Sequence, residues 1–248
     1  MKIGIIGGSG IDKREFFTDG KVLDVVTPYG NTSSKIRIGT VDGIELAVII
    51  RHGVGHTITP THVNNRANIW ALKSLGVTHI LATTAVGSLK EEIDRGDFVI
   101  ADQLIDFTRF RKNTFHEDFV SGMQHISFAD PFNVHLRNYM IRAARELNIA
   151  HHSKGTIVSI EGPRFSSRAE SIMFRQWGAD IINMTTAPEA SLAMEADIPY
   201  AVVAISTDFD CWKTDEASVT AKDVLKIFGE NVDKVMDLLR RTIGLMQD

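Results

Sequence analysis

Short apolar runs that break off into small, hydroxylated or charged residues constrain the fold of this chain more than any other feature. Ile3–Ile6 stops at Gly7-Gly8-Ser9-Gly10, Glu45–Ile50 at Arg51-His52-Gly53, and His79–Thr84 at Ala85-Val86-Gly87-Ser88. Asp180–Asn183 stops at Met184-Thr185-Thr186, and Tyr200–Ile205 at Ser206-Thr207-Asp208-Phe209-Asp210-Cys211-Trp212. Such runs predict strands with little exposed face. Further strands are expected at Lys21–Val26, Lys35–Thr40, Phe98–Leu104 and Thr156–Ile160, with Asp42-Gly43 as a turn. Helical spacing appears over Thr61–Leu75 (Ile69, Leu72 and Leu75 on one side, ending at Gly76), Val134–Leu147, near Ser167–Trp177, and over Pro188–Ala196. A last helix runs from Thr220 to Leu245 on Val224, Leu225, Phe228, Val232, Val235 and Leu239, with Thr220 as its cap and Asp223 in its first turn. Strands alternating with helices predict an α/β fold, one domain over residues 1–248 with a central sheet flanked by helices. The consecutive early strands predict that the sheet is mixed.

Composition narrows the function classes. At 248 residues, 44% hydrophobic and 23% charged, the chain is ordinary globular material with enough length for a sizeable core. A net charge of −4 provides no basic field for nucleic acid or an acidic membrane surface. Cys211 is the single cysteine, so an internal disulfide is excluded and a reducing compartment is expected. No apolar run approaches the roughly 20 residues of a membrane helix. Met1-Lys2 leads straight into a strand rather than into a signal pattern, so the expected location is the cytoplasm.

The loops after the strands carry the chemistry. Gly7-Gly8-Ser9-Gly10 suits an oxyanion, because glycines let backbone N–H groups approach it and Ser9 adds a hydroxyl. The loop fails as a Walker loop, since Gly10-Ile11-Asp12 lacks Lys-Ser/Thr, and no long helix follows for a dinucleotide site, which discounts Asp24 as a ribose acid. A lone phosphate fits better. Arg51 supplies a fixed cation and His52 a second donor, although a surface Arg with a capping His has the same signature. His52 and His56 have a spacing that binds zinc on a helix, but Gly53 and Gly55 oppose a helix there. Threonines at the strand ends read equally as β-propensity or as further phosphate ligands. Asp208 and Asp210, just past a strand's carboxyl end and flanking Phe209, suit a heterocyclic base or serve as turn aspartates. Phe165 reads as core or as base platform, and Arg164 as a brace for Glu161 or Glu170. The long segment from Arg109 to Phe132, with His116 and His125, reads as a lid or a subunit contact.

Taken together, several motifs resemble the 5′-methylthioadenosine phosphorylases, members of the trimeric purine nucleoside phosphorylases. They are Gly4-Ile5-Ile6-Gly7-Gly8-Ser9-Gly10, Arg51-His52-Gly53, His56-Thr57-Ile58, Thr83-Thr84-Ala85-Val86-Gly87-Ser88-Leu89, Glu161-Gly162-Pro163-Arg164-Phe165, Asn183-Met184-Thr185-Thr186 and Thr207-Asp208-Phe209-Asp210-Cys211-Trp212. The resemblance runs from residue 2 to about 240 and implies a nucleoside phosphorylase-like fold. It assigns Ser9, Arg51, His52, Thr84, Ala85 and Thr185 to phosphate. Met184 is placed under the ribose, Phe165 and Ile160 in the base-pocket wall, and His56 among the ribose and base contacts. Asp208 and Asp210 are implied to be the catalytic pair that reads the purine's N7 and 6-amino edge. His125 is implied to reach toward the 5′ group of a neighbouring subunit, so a homotrimer or a dimer of trimers is expected.

The implied reaction is phosphorolysis of 5′-methylthioadenosine to adenine and 5-methylthioribose 1-phosphate. Inorganic phosphate is the co-substrate, with no metal or organic cofactor and no nucleic-acid or membrane partner. Two departures point to a roomier 5′ pocket that also takes adenosine. Relatives selective for the methylthio group carry a further C-terminal helix, whereas this chain ends at Asp248. Ala221, beside Val224 and Leu225 in the 5′ pocket, stands where valine is often found. The competing readings are a phosphorylase for 6-oxopurine nucleosides (inosine, guanosine or methylthioinosine) and a non-catalytic purine sensor. An acid rather than an amide at 208 disfavours the first, and a retained anion cradle the second.

Overall fold

The computed structural model describes residues 1–8, 17, 20–120, 122–216 and 220–247. The Thr220–Leu245 periodicity becomes helix α5 (Ala221–Leu245), whose start is set as expected. The Thr220 hydroxyl accepts from the Asp223 backbone N–H while the Asp223 carboxylate accepts from that of Thr220, a reciprocal capping box. Helix α2 (Val134–Glu146) packs beside α5 on one face of the sheet. On the other face lie α1 (Asn65–Ser74) and α4 (Thr186–Glu195).

The sheet between them explains why its strands read as unbroken apolar runs. Along β4 (Ile44–Ile50), Leu46, Val48 and Ile50 join the core under α2 and α5, whereas Ala47 and Ile49 join the core under α1 and α4. Strand β11 (Tyr200–Phe209) divides in the same way, with Ala201, Val203 and Ile205 on one side and Tyr200, Val202 and Ala204 on the other. Period-two side chains reach two separate cores, so the central stretches of these strands are apolar on both faces.

Eleven strands join this sheet among the described residues, and it is mixed as expected. Strand β1 (Lys2–Gly7) lies parallel between β4 and β5 (His79–Ser88), while β3 (Ile36–Val41) is antiparallel to β4 and to β2 (Lys21–Leu23). Strand β5 is the junction. It pairs with β1 through His79–Ala82, with β11 along nearly its whole length, and with β10 (Ile181–Asn183) antiparallel at Gly87 and Ser88. Strand β10 runs parallel to β9 (Thr156–Ile160). Helix α3 (Arg168–Gln176) covers a third core containing Leu89, Val158, Phe174 and Ile182.

Several boundaries differ from expectation. The expected strand Phe98–Leu104 is two strands, β6 (Phe98–Ile100) antiparallel to β11 and β7 (Gln103–Phe107) parallel to β9. Asp102 sits at the break, bonded to Gly155 through both backbone and side chain. A two-residue strand, β8 (His151–His152), pairs with β6 and carries too little pattern to be read in advance. The first helix begins at Asn65 rather than Thr61 because the Asn64 side chain caps it by accepting from Ala67 N–H at 3.1 Å. Strand β11 continues to Phe209, so Asp208 lies within the strand and not beyond it. A bulge between Ser206 and Asp208 breaks the register with β5 there and re-aims the carboxylate.

Candidate active site

The carboxyl ends of β4, β5, β10 and β11 and the start of α4 meet around a cavity of about 380 Å³. Arg51, His52, His56, Thr84, Ala85, Ile160, Phe165, Met184, Thr185, Asp208, Asp210, Ala221, Val224 and Leu225 all line it. Ser9, expected at the phosphate, lies outside the described residues. His125 does not line the cavity of its own chain; it is exposed, its ring edge-on to Phe119 at 5.4 Å.

One end of the cavity is an anion cradle. Arg51 is almost wholly buried, and its Nε and Nη2 grip both oxygens of Glu189 on α4, the Nη2 bond measuring 3.0 Å. Its Nη1 donates to the Thr83 carbonyl at 2.8 Å. Tyr200 closes the group by donating its phenol to Glu189 at 2.8 Å. A guanidinium has five N–H donors, so one on each terminal nitrogen remains to face an oxyanion. Gly8 lies against this group; a Cβ there would stand 3.2 Å from both Arg51 Nη1 and the Thr83 carbonyl oxygen, so a side chain would crowd the cradle.

Thr84 and Thr185 face each other with their hydroxyls 3.2 Å apart. Asn183 ties them down by donating to Thr84 at 3.2 Å and to Thr186 at 2.6 Å, while its own oxygen accepts from Ser159. Thr185 is the N-cap of α4 and makes no side-chain capping bond, so its hydroxyl serves the cavity and the helix N-terminus points there.

His52 differs from expectation in its proton. Its Nδ1 lies 2.9 Å from the Ile58 carbonyl, an acceptor only, so that nitrogen carries the hydrogen. Burial, and then the neighbouring Arg51 charge, push its pKa down to about 3. The neutral ring therefore presents Nε2 as an acceptor rather than the second donor expected. His56, at a left-handed φ of 57°, stacks on His52 with centroids 4.4 Å apart. The two rings stack face to face with a 24° tilt, unlike a pair of ligands converging on an ion.

The other end holds the carboxylates. Asp208 and Asp210 are both buried, and each is held by a hydroxyl: Thr207 donates to Asp208 at 2.8 Å and Ser166 to Asp210 at 2.5 Å. Gly87 makes the pairing sterically feasible, since a Cβ there would stand 3.1 Å from an Asp208 oxygen and 3.5 Å from the Asp210 Cβ. Burial raises the Asp208 pKa to about 6, with the Asp210 charge adding to it against the Thr207 hydrogen bond. The floor between the two ends is Met184, whose sulfur lies so close to Gly162, at a φ of 67°, that no Cβ fits there.

Glu161 clamps the segment that follows β7. It accepts from Thr61, the Arg109 and Phe110 backbone and Arg111. Against the opposing effect of partial burial, these bonds hold its pKa down to about 2. Arg164 braces Glu170, through bonds of 2.6 and 2.7 Å, rather than Glu161. Sequence reasoning missed Glu189, Tyr200 and Asn183. The one available signal was a carboxylate in an otherwise apolar stretch of helix, Ala187-Pro188-Glu189-Ala190.

A family profile described as the phosphorylase superfamily matches residues 2–244. S-methyl-5′-thioadenosine phosphorylases of Xenopus tropicalis and Danio rerio are 51% and 49% identical to this chain, each match covering 98% of it and 88% of the relative. The chain belongs to the S-methyl-5′-thioadenosine phosphorylase family. A methylthioadenosine phosphorylase of Schistosoma mansoni, solved in complex with adenine, matches with a TM-score of 0.94 at 43% identity over 99% of this chain and 92% of that one. A point variant of the adenosine/methylthioadenosine phosphorylase of the same organism, solved with methylthioadenosine, gives 0.93 at 42% identity, over 99% of this chain and 91% of that one. The expected fold and family therefore hold. No helix of the described residues is long and apolar enough to cross a membrane.

Proposed function

We propose that this chain cleaves the N-glycosidic bond of 5′-methylthioadenosine, and also that of adenosine, by phosphorolysis. One observation carries the reading: a single cavity has an oxyanion cradle around Arg51, Thr84 and Thr185 at one end and a buried carboxylate pair at the other. A nucleoside spanning them places its scissile bond over Met184. Solved relatives bound to adenine and to methylthioadenosine support the same choice of substrate.

Monohydrogen phosphate, oriented by the cradle, attacks C1′ while the C1′–N9 bond breaks and its electron pair moves onto the base. The phosphate's remaining O–H donates to Nε2 of neutral His52. Asp208, protonated, delivers its proton to N7 of the leaving adenine, and Asp210 accepts from the 6-amino group. The phosphate's proton is released as the ester forms and replaces the one Asp208 gives up, so the products are adenine and 5-methylthioribose 1-phosphate. Every step falls to phosphate and to this chain's own groups, and no metal or organic cofactor is invoked. Several apolar side chains stand exposed around His125, including Phe119 and Met123, which supports a homotrimer in which His125 serves a neighbour's 5′ pocket. The lone Cys211 supports a reducing, cytoplasmic setting.

The test is adenine release from methylthioadenosine with and without phosphate. Release that depends on phosphate and forms the sugar 1-phosphate is expected, and release at the same rate without phosphate overturns the reading.

A further inference from the structure

We infer that Glu189, fixed by Tyr200, is a positioning residue that sets phosphate binding by holding the Arg51 guanidinium in the one orientation that faces the cavity. The inference rests on the phosphate-binding reading above and extends it to two residues that touch no substrate. Arg51 reaches the cradle from the end of β4 on a long side chain with several rotatable bonds. Glu189 on α4 removes that freedom by meeting Nε and Nη2 side by side, and the Thr83 carbonyl takes Nη1. The planar guanidinium is thereby fixed in rotation as well as in position, which a single hydrogen bond would not do.

Glu189 is itself held. Its second oxygen accepts from the Tyr200 phenol at 2.8 Å, and the Tyr200 ring stacks on Phe132 at 6.1 Å. Arg51 and Glu189 are each 1% exposed. A buried pair of this kind is weak grounds for stability, because desolvation offsets most of the attraction. It does deliver geometry. It also cancels the formal charge of Arg51, leaving phosphate to be recognised by directed donors rather than by a free cation.

Glu189→Gln tests this. The amide nitrogen would face guanidinium or phenol donors, so the fork cannot form on both sides. The expected result is a phosphate KM raised roughly 10- to 100-fold, the range in which partners that orient a ligating side chain usually act. The methylthioadenosine KM and adenine affinity should stay within about threefold of the parent. Glu189→Asp keeps the charge but falls one methylene short, and should give an intermediate phosphate KM. Tyr200→Phe keeps the ring stack, removes one bond to Glu189, and should raise the phosphate KM a few-fold. Adenine binding reports whether each variant is folded. A folded Glu189→Gln with an unchanged phosphate KM, or with both KM values raised alike, overturns the inference. If Glu189→Gln does not fold, an unchanged phosphate KM in Tyr200→Phe overturns it instead. Calorimetric titration of the parent and Tyr200→Phe with inorganic phosphate reads the anchor without turnover. Phosphate-independent turnover with phosphate affinity still weakened in Tyr200→Phe would therefore sink the phosphorylase reading and leave this inference standing.

Discussion

The two ends of the cavity solve opposite electrostatic problems. At the phosphate end the one formal charge is compensated before any ligand arrives: Arg51 is bound to Glu189 and Thr83, and His52 is held neutral. The threonines are pinned through Asn183 and by each other. At the base end two carboxylates are buried close together with hydroxyl donors for partners, and one of them titrates near neutrality. A site that only has to hold an anion in place is built from donors and acceptors fixed beforehand by hydrogen bonds, and none of its own side chains gives up a proton. A site that must hand a proton to a leaving group keeps a charge unresolved, and the cost of burying it is what raises the pKa.

The largest expected effect tests the base end. Asp208→Asn removes the proton donor, and kcat/KM for methylthioadenosine should fall by about 10²–10⁴-fold, the usual worth of a positioned general acid. Turnover of inosine should fall less, since an amide donates to O6 where a carboxylate cannot. A 6-amino to 6-oxo preference unchanged by the substitution would remove Asp208 from reading the base. The same residue sets a pH dependence. With its pKa raised to about 6, the protonated acid is lost as pH rises, so kcat/KM for methylthioadenosine at saturating phosphate should decline above about pH 6. The stability sign follows the same direction. A raised pKa means that the native state favours the protonated form, so this contribution is complete below the unfolded carboxyl's pKa and lost as pH rises through about 6. Asp208→Asn should therefore gain in melting temperature relative to the parent between pH 5 and pH 8. A constant difference across that range would place the titration elsewhere.

The phosphate end predicts a loss of stability with no such titration. Arg51→Met leaves the Glu189 carboxylate buried without its cation, which should cost about 3–5 kcal/mol in denaturant unfolding. Combining Arg51→Met with Glu189→Met removes both charges from the core, and most of that stability should return although phosphate binding does not. A double variant as unstable as the single one would mean that the pair supports the fold itself.

This asymmetry also explains how much was legible in the sequence. The strands were legible because two-sided burial makes them apolar throughout, and α5 because its cap and periodicity agree. The motifs at the strand ends gave both ends of the cavity, since Arg51, Thr84, Thr185, Asp208 and Asp210 sit where chain direction alone places them. Glu189 was not legible, because its significance lies in a contact with a residue 138 positions away. The proton on His52 was hidden for a related reason, since the Ile58 carbonyl that fixes it is chosen by a turn through Gly53 and Gly55, both at positive φ. The continuation of β11 through Asp208 was missed because Ser206-Thr207-Asp208 resembles a turn in composition, whereas its backbone pairs with β5.

Between the two ends lies a third region, where neither charge nor hydrogen bonding decides, and it carries the smallest prediction. Ala221, Val224 and Leu225 on the first turns of α5 wall the cavity with apolar surface, and Leu225 remains 49% exposed. If this wall meets the 5′ substituent, then widening Ala221 to valine fills space that a hydroxyl and its water would otherwise share. Each added carbon in a closed apolar pocket is worth roughly 1–3 kcal/mol, and valine adds two, but the exposure of Leu225 leaves this wall in contact with solvent and reduces the gain. Ala221→Val should therefore shift the ratio of kcat/KM for methylthioadenosine over adenosine upward by about three- to tenfold, with the phosphate KM unmoved. A fall in both kcat/KM values with no change in their ratio would mean that position 221 meets a part common to both substrates. A change in the phosphate KM would mean that the two ends are mechanically coupled through α5 rather than independent.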